Sequence, residues 1–275
     1  MKLNTIKNYK NIENDIINNE DIFNSIMIGL GSYFKVSTLI KGINKNFMKS
    51  DINSEIEVDA FVSNKNISWI RKSNSNAKKY TCDLFTYVND LTNTRYSADN
   101  TGINSILPMF AFYDLTDTDF NFNKVVKKQE RSSKIELAYK NAFSRKVDFT
   151  NSYDWIYCYN NYLKYGFEFE ETRDALYDCL YKAIPNLKNI EINYINSDFK
   201  LLFDDEYVSY NDLNDNYKII INIISDICYR CILLNGFLKY DSISKPPGIV
   251  MINNYINDLN ILKELFPNIQ FIVKY

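Results

Sequence analysis

The chain has 275 residues, of which 46% are hydrophobic and 24% charged, so it can bury a substantial core and is not expected to be disordered throughout. Its net charge of −2 offers no global basic field for nucleic acid and leaves room only for a local basic face. The sequence contains no histidine, which excludes His-dependent triads, His-ligated metal centres and His acid–base mechanisms.

The five cysteines, Cys82, Cys158, Cys179, Cys228 and Cys231, are odd in number and scattered, as suits a reducing cytoplasm. No stretch approaches the ~18 consecutive apolar residues of a membrane span. The opening MKLNTIKNYKNIEN lacks the apolar centre of a secretory signal. The expectation is a cytoplasmic chain without membrane association.

In chain order, Lys2 to Lys7 reads as a strand and Asn24 to Ile28 as a second one. A glycine-containing loop, Gly29 to Val36, leads into a helix from Ser37 to about Phe47. Strand, glycine loop and a helix opening on Ser/Thr is the layout of a phosphate-binding loop; the plain alternative is an ordinary glycine turn before a helix. Glu55 to Lys72 alternates like a hairpin turning at Ser63–Asn66, and Leu107 to Tyr113 is an apolar run that suits a buried strand.

The middle of the chain is mainly helical by spacing, with helices expected at Ser132 to Ala142, Ser152 to Tyr165 and Glu168 to Ile184. Pro185–Asn186 ends the third, and short strands follow at Leu187 to Tyr194, Lys200 to Phe203 and Tyr207 to Tyr210. Asp215 to Leu234 is a long helix, Ile249 to Ile252 a very apolar strand, Asp258 to Phe266 a short helix and Gln270 to Val273 a final strand. The polar stretch Thr116 to Ser133 is the best candidate boundary. Within it and beside it, Lys124, Lys127, Lys128, Arg131 and Lys134 form a basic cluster, read as a solvated loop or as a DNA or partner contact. Cys228 and Cys231 form one CxxC on a helix, read as buried small residues more readily than as a zinc site. Asp226 and Arg230, four apart, read as a helix-surface or lobe-bracing ion pair.

These segments, in order, resemble the ATP-binding-cassette ATPases of the RecF, SMC and OLD-nuclease group. IKNYKNIEN is similar to the family's first strand. Ile28-Gly29 and then Ser37-Thr38-Leu39 are similar to the strand and helix start of a Walker A motif. ILPMFAFYD (Ile106 to Asp114) resembles a further core strand, and DLNDNYKIIINIISDICYRCILLN (Asp212 to Asn235) the signature helix. PPGIVMINN (Pro246 to Asn254) resembles the Walker B strand, and LKELFPNIQFIVKY (Leu262 to Tyr275) the family's closing helix and strand.

The departures fall where the resemblance places the chemistry. A working phosphate loop reads GxxxxGK followed by Ser or Thr, so that backbone N–H groups close around phosphates and Lys reaches the outer ones. Gly29 fits the first position, and Lys35, Ser37 and Thr38 lie near the end of such a loop, but Phe34 and Val36 intrude. The Mg-holding Asp and water-activating Glu of Walker B correspond to Asn253 and Asn254. An amide takes no proton from water and is a poor Mg²⁺ ligand. In the signature, Asn214 and Asn216 replace the Ser and Gly that face a partner's nucleotide. The stretch from Asn254 to Leu262 is short for the family's D-loop, and a switch histidine does not exist.

The resemblance therefore implies an α/β fold, an ABC-ATPase-like P-loop cassette with a mixed β-sheet and an inserted helical lobe. The α/β core lobe comprises 1–117 and 211–275, and the helical lobe 118–210. It implies a catalytically inactive homologue that serves as a structural or regulatory subunit, in antiphage defence or DNA repair, beside a protein partner: an active ATPase, a nuclease subunit or a second copy. No metal site and no cofactor are expected. A second reading keeps ATP and Mg²⁺ on Lys35, Ser37 and Thr38, with a partner completing the site across a dimer interface. A third is a nucleic-acid-binding module using the basic cluster near Lys127.

Overall fold

A computed structural model of the chain describes residues 2–6, 16–17, 23, 26, 30, 55–62, 65–72, 105–116, 134–139, 141–142, 149, 170–193, 198–255 and 259–275. Its centre is a three-stranded parallel sheet of β4 (Met109–Asp114), β8 (Gly248–Asn253) and β9 (Ile269–Lys274), with β8 in the middle. The first five residues of both β4 and β8 are buried, the continuous apolar pattern of parallel strands covered on both faces. Gly248 starts β8 because a Cβ there would stand 2.5 Å from the Met109 carbonyl oxygen of β4. Ile249 to Ile252 is thus a central, buried, parallel strand, as its composition predicts.

The strand expected beside it, leading into Gly29, is different. The neighbours of β8 are β4 and β9, and the early chain instead meets the sheet at Ile16, which bridges Val273 in parallel. The Ile17 N–H donates to the Val273 carbonyl at 2.8 Å. Ile26 is helical rather than extended, as are Phe23 and Leu30, which contradicts the strand predicted through Ile26. The physical reason is spacing: Phe23, Ile26 and Leu30 recur at three and four residues and are all buried, whereas a strand over the same run would turn Asn24 inward with Ile26. Phe23 packs against Phe112 of β4 with ring centroids 6.2 Å apart. Gly29, Lys35, Ser37 and Thr38, and the helices expected at Ser37 to Phe47 and Ser152 to Tyr165, lie outside the described residues.

Two antiparallel sheets accompany the parallel one. β1 (Lys2–Ile6), β2 (Glu55–Val62) and β3 (Lys65–Lys72) form the first in sequential order, with the predicted hairpin as β2–β3. β5 (Leu187–Asn193), β6 (Asp198–Phe203) and β7 (Glu206–Ser209) form the second. The described part of 118–210 contains this sheet, where the short strands are expected, together with α1 (Lys134–Tyr139) and α2 (Glu170–Ala183). Asn186, at φ 62°, makes the left-handed turn that takes the chain from α2 into β5.

α3 (Asp215–Asn235) packs against α1, α2 and β4. Asn214 caps it by accepting from the Tyr217 N–H at 3.1 Å. At the other end Asn235 closes a two-bond clamp on the Leu107 backbone, accepting at 2.8 Å and donating at 2.9 Å. Near its start Phe203 of β6 meets Tyr217 at 5.8 Å between ring centroids. By length and composition alone, residues 215–242 are apolar enough to cross a membrane, but 89% of the apolar window is buried within the chain. That stretch also carries the buried charges Lys218, Asp226 and Arg230. α4 (Leu259–Leu265) then leads into β9.

Candidate functional site at the C-terminal edge of the parallel sheet

Ligands of open α/β sheets gather beyond the carboxyl ends of the strands. Here three strands end in register, with Asp114 opposite Asn253 and Asn253 opposite Lys274. The Asn253 side chain is half-buried and its Nδ2 donates to Asp114 Oδ1 at 3.0 Å. The same carboxylate oxygen accepts from the Thr116 hydroxyl at 2.8 Å and the Thr116 N–H at 3.3 Å. Asn254 is exposed at φ 62°, and its N–H donates to the Lys274 carbonyl at 2.7 Å. Tyr255, just beyond, is fully buried and pins the turn.

This geometry explains why an amide stands at 253. Ionised Asp accepts only, so a second carboxylate at that position would face Asp114 with like charge and no donor between them, whereas Asn253 supplies the donor. The carboxylate beside Asn253 is Asp114, on the neighbouring strand β4. The signal for it was the Asp that closes ILPMFAFYD, unremarkable until β4 and β8 are known to be neighbours in register.

The donor set does not fit Mg²⁺, which needs near-octahedral oxygen ligation. Asp114 Oδ1 already takes three donors, and Asn253 presents its amide N–H₂ to it. Among the described residues no group of three or more His, Cys, Asp or Glu is placed to hold a metal. Asn214 and Asn216 are exposed in the first turn of α3, Asn214 occupied as the cap. Among the described residues no hydrogen bond joins either of them to Asn253 or Asn254.

The pair Asp226 and Arg230 is not on the helix surface: the carboxylate is 2% exposed and the guanidinium 7%. Arg230 Nε donates to Asp226 Oδ2 at 2.7 Å and its NH1 to the Ala138 carbonyl of α1 at 2.6 Å, while the Tyr113 hydroxyl of β4 donates to Asp226 Oδ2 at 2.8 Å. Burial, and then the Asp226 charge, raise the Tyr113 phenol well above its ordinary range. Burial opposes the Arg230 charge, but Asp226 and Tyr113 outweigh it and hold the guanidinium above its usual value. The network braces α3 against α1 and β4.

The CxxC is likewise interior. Cys228 and Cys231 of α3 lie beside Cys179 of α2, all three buried. Burial, and next the hydrogen bond with Cys179, push the Cys228 thiol well up; burial, and next the Cys179 charge, push up Cys231. The three buried sulfurs pack the contact between α2 and α3. A shallow cleft of about 150 Å³ opens beside Cys179 between α2 and the 3-10 segment Gly236–Ser242, with Asp178, Lys182, Tyr240 and Glu264 on its walls. Tyr240 donates to Asp178, and that bond raises the phenol to about 12.

Fold and site together define a mixed α/β protein with a three-stranded parallel sheet whose C-terminal edge carries a hydrogen-bonded Asp–Asn pair. Comparison with models of known protein families and with curated proteins returns no match.

Proposed function

We propose that the chain is a catalytically inactive relative of the RecF/SMC/OLD-type ABC ATPases that acts as a structural or regulatory subunit through protein–protein contact. The observation that carries this reading is Asn253 at the end of the central parallel strand, its amide committed to Asp114 at 3.0 Å. The order of the sequence segments that resemble the family supports it, as does the parallel β4–β8–β9 core that three of them build. Losing a general base alone costs ~10²–10⁴ in rate, and the general-base position and the metal-holding position are both amides here.

The partner is an active ATPase, a nuclease subunit or a second copy of this chain, in antiphage defence or DNA repair. Nucleotide has no part in holding that assembly, and its contacts bury aromatic side chains, which favour interfaces. Light scattering with and without ATP and Mg²⁺ tests this: the oligomeric state stays constant under the proposal. A monomer that dimerises only when nucleotide is added would instead establish an ATP site completed across a dimer.

A further inference from the structure

The buried face of α3 carries a polar stripe. Lys218, Asn222, Ser225, Asp226 and Arg230 recur at intervals of three and four residues (Asp226 directly after Ser225), so they share one side of the helix, and each is more than nine-tenths buried. Most of their polar atoms are matched. Lys218 Nζ donates to the Asn211 carbonyl at 2.8 Å, Tyr210 donates to Asn222 Oδ1 at 2.8 Å, and Tyr113 and Arg230 both serve Asp226 Oδ2. Three atoms in the middle of the stripe are not matched: Asn222 Nδ2, Ser225 Oγ and Asp226 Oδ1 have no hydrogen-bond partner among the described residues.

Buried donors and acceptors are costly to leave bare, and folded proteins pair nearly all of them. The three orphaned atoms fall within five residues on one helix face, where side chains three and four apart are neighbours. Their chemistry is complementary: an amide donor, a hydroxyl that gives or accepts, and a carboxylate oxygen that only accepts. The amide N–H repels a cation and the carboxylate repels an anion. A small neutral molecule that both donates and accepts satisfies all three, and buried waters characteristically make about three such bonds.

We propose that one structural water is bound against α3 between Asn222, Ser225 and Asp226. It accepts from Asn222 Nδ2, donates to Asp226 Oδ1 and takes Ser225 Oγ as its third partner. The water closes a continuous polar path from Tyr210, through Asn222 and Asp226, to Tyr113 on β4 and Arg230. That path couples the 3-10 turn Tyr210–Asp212, which precedes α3, to the parallel sheet.

Oxygen-17 relaxation dispersion on the full chain, unmodified and as Ser225→Ala, tests the proposal together with thermal melting. The unmodified chain shows a long-lived internal water; in the variant its residence time falls about tenfold, the loss expected for one hydrogen bond, and the melting temperature falls. A dry site gives the opposite sign, because removing an unsatisfied buried hydroxyl raises the melting temperature and no long-lived water is lost. That result overturns the proposal. So does high-resolution density in which one of the chain's own side chains bonds the three atoms, a measurement that needs no variant.

Discussion

The Asn253 amide donates to the Asp114 carboxylate across 3.0 Å, tying the end of the central strand β8 to the end of its parallel neighbour β4. The bond gives position 253 a structural reason to be an amide.

Asn253→Asp therefore destabilises the fold near neutral pH. It places two carboxylates where one donor and one acceptor stood, at a cost of about 1–3 kcal/mol. Repulsion raises the introduced group's folded pKa above its unfolded value near 4. The penalty is therefore absent at pH below that value and grows as pH rises through the raised pKa. Thermal melts across the acid range check this, and a variant as stable as the parent at neutral pH contradicts it.

Breaking the buried pair in α3 is more damaging. Arg230→Met leaves Asp226 charged at 2% exposure, a loss of about 3–5 kcal/mol. The double change Arg230→Met with Asp226→Leu removes both charges and recovers much of that loss. Denaturant unfolding of the singles and the double measures the coupling. Additive single effects would show that the pair does not act as a unit.

The Tyr240–Asp178 contact has its own pH signature. The Tyr240 phenol is raised from 10.0 to about 12, so the folded state keeps its proton after the unfolded state has lost it. The stabilisation is complete below pH 10 and disappears as pH rises toward 12. The melting-temperature gap between the parent and Tyr240→Phe accordingly narrows over that interval. A gap that widens there reverses the assignment.

Zinc gains no ligand from Cys228 and Cys231 under this account. Cys228 and Cys231 are pushed up by burial, so metal binding would have to strip protons from buried groups. Alkylation of both residues stays slow in the native state, with or without equimolar zinc. Zinc uptake that is lost on replacing Cys228 and Cys231 with Ser would contradict this.

Much of the C-terminal half was legible because its signals are local and continuous. The capped, apolar run of α3, the apolar β8 and the Pro267-terminated α4 each announce themselves within a few residues. The run around Ile26 is ambiguous by sequence, because a short apolar stretch fits strand or helix equally and the deciding residue, Phe23, lies just outside it. Asp114 carries no local signal, because its meaning depends on register with Asn253, 139 positions away. The i, i+4 spacing of Asp226 and Arg230 was visible, but its burial was not, since Tyr113 and Ala138 arrive from distant segments.

The most direct test of the central claim is ATP hydrolysis by the purified full chain, alongside Asn253→Asp combined with Asn254→Glu. The account predicts no turnover above an enzyme-free control for either protein, since under the proposed reading two carboxylates alone do not rebuild a nucleotide site. Clear Mg²⁺-dependent turnover by the unmodified chain would contradict it.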